Sequence, residues 1–208
     1  MRMIWDTLGG RRRSRRGRER TSASRQMAVV GGLLAGVLLA LCGRVSAQPF
    51  AALDYEVKAG FLVKFTQYTT WPANAFAATN SPIVIGVVAG DSLFKEVERQ
   101  AAGVVSSRPV TARRIETLEE AAGCQLIFIA EAEARYEAEW FKALKGKPIV
   151  TVGESERTIE HGGVLHFVIK NKTVRFEASL AASAENRFEL SEKMLGVASK
   201  VYKRPPVE

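Results

Sequence analysis

Residues 83–102 read IVIGVVAGDSLFKEVERQAA, and this stretch decides the fold. Its first six residues are apolar and mostly β-branched, which is typical of a strand that is covered on both faces of a parallel sheet. Asp91 and Ser92 then supply short side chains of the kind that open a helix. We predict a helix from Leu93 to about Ala102, which Gly103 ends. The stretch is therefore interpreted as a buried strand that leads through a tight turn into a helix.

The same alternation extends in both directions along the chain. Further strands are predicted at 109–115, 124–129 and 149–152, and helices at 54–71, 116–122 and 131–145. Two more strands, 163–169 and 173–178, flank a short polar connection and predict a hairpin. The pattern predicts an α/β fold: a single three-layer domain with a mostly parallel sheet, helices on both faces, and a C-terminal antiparallel hairpin at its edge.

Three of the predicted helices rest on the spacing of particular side chains. Helix 54–71 has its apolar positions three or four residues apart and is expected to end at Trp71-Pro72. The last helix is predicted from Ser191, as its cap, to Lys203, with an apolar stripe of Met194, Leu195, Ala198, Val201 and Tyr202. In helix 131–145, four glutamates are interpreted as a solvated face: Glu131, Glu133, Glu137 and Glu139.

The net charge of +8 lies entirely in the first 47 residues, which hold ten arginines against Asp6 and Glu19. Residues 48–208 carry 20 basic and 20 acidic side chains and are neutral. A nucleic-acid-binding protein needs its positive charge on the folded surface. The basic composition therefore does not indicate a nucleic-acid partner.

Residues 1–47 are predicted to be a signal peptide with a long Arg-rich n-region. Sixteen mostly apolar residues run from Met27 to Cys42, and small residues at 45–47 form a cleavage site after Ala47. An uncleaved anchor, a twin-arginine signal at Arg15-Arg16, a lipoprotein site at Cys42 and translation from Met27 instead of Met1 remain alternatives. Residues 48–208 are then expected to form an exported, periplasmic domain.

No catalytic or metal-binding constellation is recognisable in the sequence. It has no Gly-x-Ser-x-Gly elbow and no phosphate-binding glycine loop. The two histidines, His161 and His166, are expected on opposite faces of an extended segment and do not predict a metal site. Cys124, at the start of a buried-type strand, is interpreted as a small core residue, and a redox or intermolecular role is the alternative. We predict neither catalytic residues nor a cofactor.

Several segments, taken in order, resemble the YfiR family of periplasmic regulators. They are EVKAGFLVKF (56–65) with Trp71-Pro72, IVIGV (83–87), CQLIFI (124–129), TVG (151–153), GGVLHF (162–167), VRFE (174–177) and Leu190-Ser191. The resemblance implies a non-enzymatic protein that binds the periplasmic part of an inner-membrane diguanylate cyclase and restrains it. Cyclic di-GMP and biofilm formation would then be held low, and the membrane would be contacted only through the partner.

Two departures from the family concern mechanism. The predicted mature chain holds one cysteine, so an intramolecular disulfide switch is unavailable, and Ser179 stands where the family often has asparagine. A homodimer remains open. The partner-binding edge is predicted at seven residues: Trp71, Gly162, Gly163, Phe167, Arg175, Phe176 and Glu177. The alternative for its aromatic residues is core packing, and the alternatives for the whole protein are a periplasmic small-ligand-binding protein or an unrecognised enzyme.

Overall fold

A computed structural model describes residues 48–204, with side chains from Leu53 onward. The predicted signal peptide, its cleavage site and Pro205-Pro206 lie outside these residues. The helices are α1 (Gln48–Gln67), α2 (Asp91–Ala102), α3 (Glu137–Leu144), α4 (Leu180–Glu185) and α5 (Glu192–Leu195). The strands are β1 (Thr69–Thr70), β2 (Ile83–Val88), β3 (Val110–Arg114), β4 (Leu126–Ile129), β5 (Val150–Gly153), β6 (Leu165–Lys170), β7 (Thr173–Ser179), β8 (Glu189–Leu190) and β9 (Lys200–Tyr202).

Seven strands form one sheet in the order β3-β2-β4-β5-β6-β7-β9, and every adjacent pair except β6–β7 is parallel. The first five follow the doubly wound order in which the chain starts at β2 and winds to both sides. The predicted α/β class and the antiparallel hairpin are therefore confirmed. The hairpin does not form the sheet edge, however, because β9 adds outside β7.

The two faces of the sheet are covered differently. Helices α1 and α2 pack against one face, where Leu62, Phe65, Val97 and many strand residues form the larger apolar core. The opposite face is covered over β2, β4 and β5 by α3 and two short 3-10 helices, Glu119–Ala121 and Glu131–Tyr136. The predicted three-layer arrangement follows from these two cores.

Helix α1 ends four residues earlier than predicted. Its buried side chains recur at helical spacing, but Thr69 donates a hydrogen bond from its hydroxyl to the Phe65 carbonyl at 2.8 Å. Thr69 and Thr70 then pair with Leu190 and Glu189 in a small antiparallel sheet. The extended backbone at β1, and not the proline that follows it, therefore terminates the helix.

The predicted helix over 191–203 is wrong. Ser191 does cap a helix by accepting a hydrogen bond from the Met194 amide, but α5 has only four residues. The chain then turns, and Lys200–Tyr202 runs parallel to Glu177–Ser179 as the last strand. The open edge of β7 offers backbone hydrogen bonds that outweigh the helical preference of so short a segment.

Candidate partner-binding face

Within residues 48–204, the helices on the second face of the sheet pack over β2, β4 and β5 and not over β6, β7 and β9. Along β6, β7 and β9, every second residue points away from the core that contains α1 and α2. These residues face the same side of the sheet as α3, which packs over β2, β4 and β5. These residues are His166, Val168, Lys170, Thr173, Arg175, Glu177, Lys200 and Tyr202. We call this set the open face. It contains two of the seven residues predicted for partner binding, Arg175 and Glu177.

Glu177 is the centre of the open face. Its carboxylate accepts hydrogen bonds from the Tyr202 hydroxyl at 2.9 Å and from the Lys170 ammonium at 3.2 Å. His166 Nδ1 lies 3.8 Å from the same carboxylate, directly across the hairpin. Burial alone would raise the pKa of Glu177, but the bonds from Tyr202 and Lys170 outweigh it and lower the pKa. The carboxylate is therefore held ionised and cross-links three strands.

Arg175 is exposed and, unlike Glu177, is not paired with any other residue that the structure describes. It forms no ion pair and no side-chain hydrogen bond with any residue between 53 and 204. Glu177 is thus paired with Lys170, whereas Arg175 is a cation on the same face with no partner among residues 53–204.

Phe167 and Phe176 lie behind the open face. They are direct cross-strand partners, and their side chains are buried among Phe61 and Phe65 on the helix-covered side. Phe65 and Phe176 meet edge to face with ring centroids 5.0 Å apart, a favourable aromatic geometry. The rings are core residues, so they stiffen the hairpin and do not present a surface.

Trp71 lies away from the hairpin, directly after β1. It meets the ring of Phe76 edge to face at 6.3 Å and lines two clefts of about 670 and 830 Å³. The first cleft is shared with Arg108, whose guanidinium stacks 3.9 Å from the Phe76 ring centroid, and the second with Arg187. The structure thus separates Trp71 from the other predicted partner-binding residues.

Gly162 and Gly163 belong to the loop that leads into β6, and that loop is fixed by Glu137. Glu137 is fully buried, and its carboxylate accepts bonds from the amides of Glu154 and Ser155, both at 3.2 Å. The hydroxyls of Ser155 and Thr158 donate to the same carboxylate. One buried carboxyl side chain therefore holds the first half of the β5–β6 loop.

The glycines are required by this packing. A Cβ on Gly163 would lie 2.6 Å from Thr158 Cγ2, a distance that real Cβ atoms do not tolerate, and a Cβ on Gly153 would collide with the Glu137 carboxylate. Gly162 has a φ of +89°, in the region that only glycine enters freely. The Gly162-Gly163 pair is thus explained by the loop's own geometry.

The interpretation of Glu137 as a solvated residue is wrong. Glu131 and Glu139 are exposed as predicted, but Glu137 precedes Trp140, Phe141 and Leu144 by three, four and seven residues. That spacing places it on the buried stripe of the helix. Helical position, not residue type, was the signal that could have identified it.

The two histidines and the cysteine have separate environments. His161 Nδ1 lies 3.5 Å from the Glu137 carboxylate, whereas His166 lies beside Glu177. Cys124 is buried, which raises the pKa of its thiol despite a hydrogen bond from Arg113 at 3.1 Å. Among the residues between 53 and 204, no three His, Cys, Asp or Glu side chains lie close enough to hold a metal ion.

The carboxyl ends of β4 and β5 are bridged by charged side chains. Lys58 of α1 forms ion pairs with Glu154 at 2.9 Å and Asp54 at 2.7 Å, and Glu154 accepts a bond from the Glu131 amide. Burial opposes the charge on Lys58, but the bond to Asp54 and the charge of Glu154 prevail and raise its pKa. This network ties α1 to the strand ends.

The profile of the DUF4154 family, described as YfiR/HmsC-like, matches residues 55–199. The chain belongs to this family. Members are periplasmic, non-catalytic regulators of cyclic di-GMP signalling. No curated protein matches the sequence. None of the helices within residues 48–204 is long and apolar enough to cross a membrane.

Proposed function

We propose that this protein is a periplasmic repressor that binds the sensor domain of an inner-membrane diguanylate cyclase and keeps the cyclase inactive. The family match over residues 55–199 carries this proposal, because it spans both cores, the hairpin and α5. The predicted signal peptide at 1–47 supports export to the compartment where such a sensor domain lies.

The open face supports the proposal as a docking surface. The outer part of the open face exposes Lys170, Thr173, Arg175 and Lys200 on a rigid support, as interfaces that form between folded partners do, while His166 and Glu177 are buried beneath. Glu177 and its three neighbours fix the positions of these groups, and Phe167 and Phe176 support them from behind. A partner that docks here would meet a preorganised surface and would lose little conformational entropy on binding.

Deletion of the gene tests the proposal. Cellular cyclic di-GMP and biofilm mass should rise, and the full chain supplied in trans should restore them. The purified mature domain should bind the isolated sensor domain of an inner-membrane diguanylate cyclase from the same organism. An unchanged cyclic di-GMP level in a strain that normally expresses the protein would refute the repressor role.

A small-ligand-binding protein is the second candidate, and the clefts beside Trp71 favour it. Their volumes of about 670 and 830 Å³ match those of small-molecule pockets. A metabolite that raises the melting temperature of the wild-type domain, and has no effect on a Trp71→Ala variant of equal stability, would support this candidate.

A further inference from the structure

Positive charge is concentrated at the hairpin end of the folded domain. Residues 165–179 and 197–204 contain six basic side chains and one acidic one, Glu177, whereas residues 48–204 as a whole carry 20 basic and 19 acidic side chains. The rest of the described domain therefore holds 14 basic and 18 acidic residues and is net negative. The neutral domain is electrically polarised, with its positive end at the open face.

A groove crosses this positive end. It has a volume of about 480 Å³ and lies between the hairpin residues Lys170, Asn171, Thr173 and Arg175 and the segment 197–199 that precedes β9. Val197, on the opposite wall from the two cations, is 61% exposed. The groove thus combines an apolar wall with positive charge, which suits a side chain that has an aliphatic stem and an anionic end.

The two cations of the groove are not equivalent. Lys170 is engaged with Glu177 Oε1 at 3.2 Å and with the Ser199 hydroxyl at 3.3 Å. Arg175 has no partner among the residues between 53 and 204. An incoming carboxylate can pair with the planar guanidinium of Arg175 through two parallel hydrogen bonds without breaking any contact of the folded domain.

We infer that this groove receives an aspartate or glutamate side chain of the partner protein, which pairs with Arg175. The inference rests on the proposed function, because it identifies the chemistry of the same docking surface. A protein carboxylate is the occupant we propose because the groove places the Arg175 guanidinium opposite an exposed valine, which suits a side chain with an aliphatic stem and an anionic end. The other basic residues at this end of the domain could also attract an anionic lipid, so vesicle binding is one arm of the test.

The test compares three variants of the mature domain for binding to the isolated cyclase sensor domain. Arg175→Glu should weaken binding by about 30-fold or more, the usual effect of breaking a desolvated charge pair. Arg175→Lys should retain part of the affinity. Lys95→Glu is the matched control, since Lys95 is an exposed lysine on α2, across the sheet from the groove, and should bind like the wild type. Thermal unfolding checks that all three variants are folded.

A charge exchange identifies the source of the carboxylate. Each acidic residue of the sensor domain is changed in turn to lysine, and one such change should abolish wild-type binding and restore binding to Arg175→Glu. Wild-type binding that Arg175→Glu does not alter would overturn this inference and leave the repressor role standing. If the wild-type domain does not bind the sensor domain, both this inference and the repressor role are wrong. If the wild-type domain sediments with vesicles of phosphatidylcholine and phosphatidylglycerol and Arg175→Glu does not, the groove binds a lipid and this inference is wrong.

Discussion

Replacing Glu137 should destabilise the domain far more than replacing its helical neighbour Glu139. The Glu137 carboxylate is fully buried and accepts from two backbone amides and two hydroxyls of the β5–β6 loop. The Glu137→Ala change leaves these donors without an acceptor and opens a cavity. Each buried amide left unsatisfied costs about 1–3 kcal/mol.

The whole effect of Glu137→Ala is therefore about 3–5 kcal/mol, the usual cost of breaking a buried charged network. For a domain of this size, each kcal/mol lowers the melting temperature by about 2–4 °C, so the expected drop is about 6–20 °C. Glu137→Gln keeps the shape of the side chain and one acceptor oxygen, but its NH₂ group faces loop amides and hydroxyls that also donate. This change should lower the free energy of unfolding by about 1–3 kcal/mol.

Urea unfolding of the mature domain, followed by tryptophan fluorescence, measures these differences. Glu139→Gln is the control, because Glu139 is exposed on the same helix and its change should stay within about 0.5 kcal/mol of the wild type. If Glu137→Gln and Glu139→Gln are equally stable, the buried carboxylate does not hold the loop and this reasoning is wrong.

Three further predictions address other parts of the domain. Gly163→Ala should destabilise it by about 1–3 kcal/mol because the added Cβ meets Thr158, whereas Gly90→Ala, with nothing within 4 Å, should be near neutral; equal urea midpoints would count against the loop geometry. Because the pKa of Glu177 is lowered in the folded domain, its ionised carboxylate stabilises the fold above the ordinary pKa of 4.5, and this stabilisation is lost as the pH falls through the lowered pKa. The stability advantage of the wild type over Glu177→Gln should therefore shrink on acidification, and parallel curves of stability against pH would contradict this. Cys124 should react with a thiol reagent much more slowly in the folded domain than in urea, and equal rates would show that the thiol is accessible.

The alternating strands and helices could be predicted because each has a strong local signal. The β-branched run at 83–88 and the apolar run at 126–129 became buried parallel strands, and the hairpin formed around Asn171-Lys172, both with positive φ as a tight two-residue turn requires. Each of these elements buries the same residues whichever strands lie beside it. Its type, strand or hairpin, can therefore be predicted without knowing the order of strands in the sheet.

The segments that could not be predicted depend on distant partners. Lys200–Tyr202 became a strand only because β7 offers an open edge to it, and Thr69-Thr70 left the helix because Glu189-Leu190 lies alongside. The role of Glu137 depends on a loop that follows it by 17 residues or more. Arg175 and Glu177 were predicted as partner-binding residues from the sequence, but only the structure shows that Glu177 is paired and that Arg175 has no partner among residues 53–204.

We propose that the domain acts outside the cytoplasm by binding a diguanylate cyclase and not by catalysis. The most direct test is the level of cyclic di-GMP in a deletion strain. This strain is complemented in turn with the full chain, with the chain lacking residues 1–47, and with the full chain carrying Arg175→Glu. We expect that only the full wild-type chain lowers cyclic di-GMP to the level of the parental strain. Equal repression by the chain that lacks residues 1–47 would contradict it.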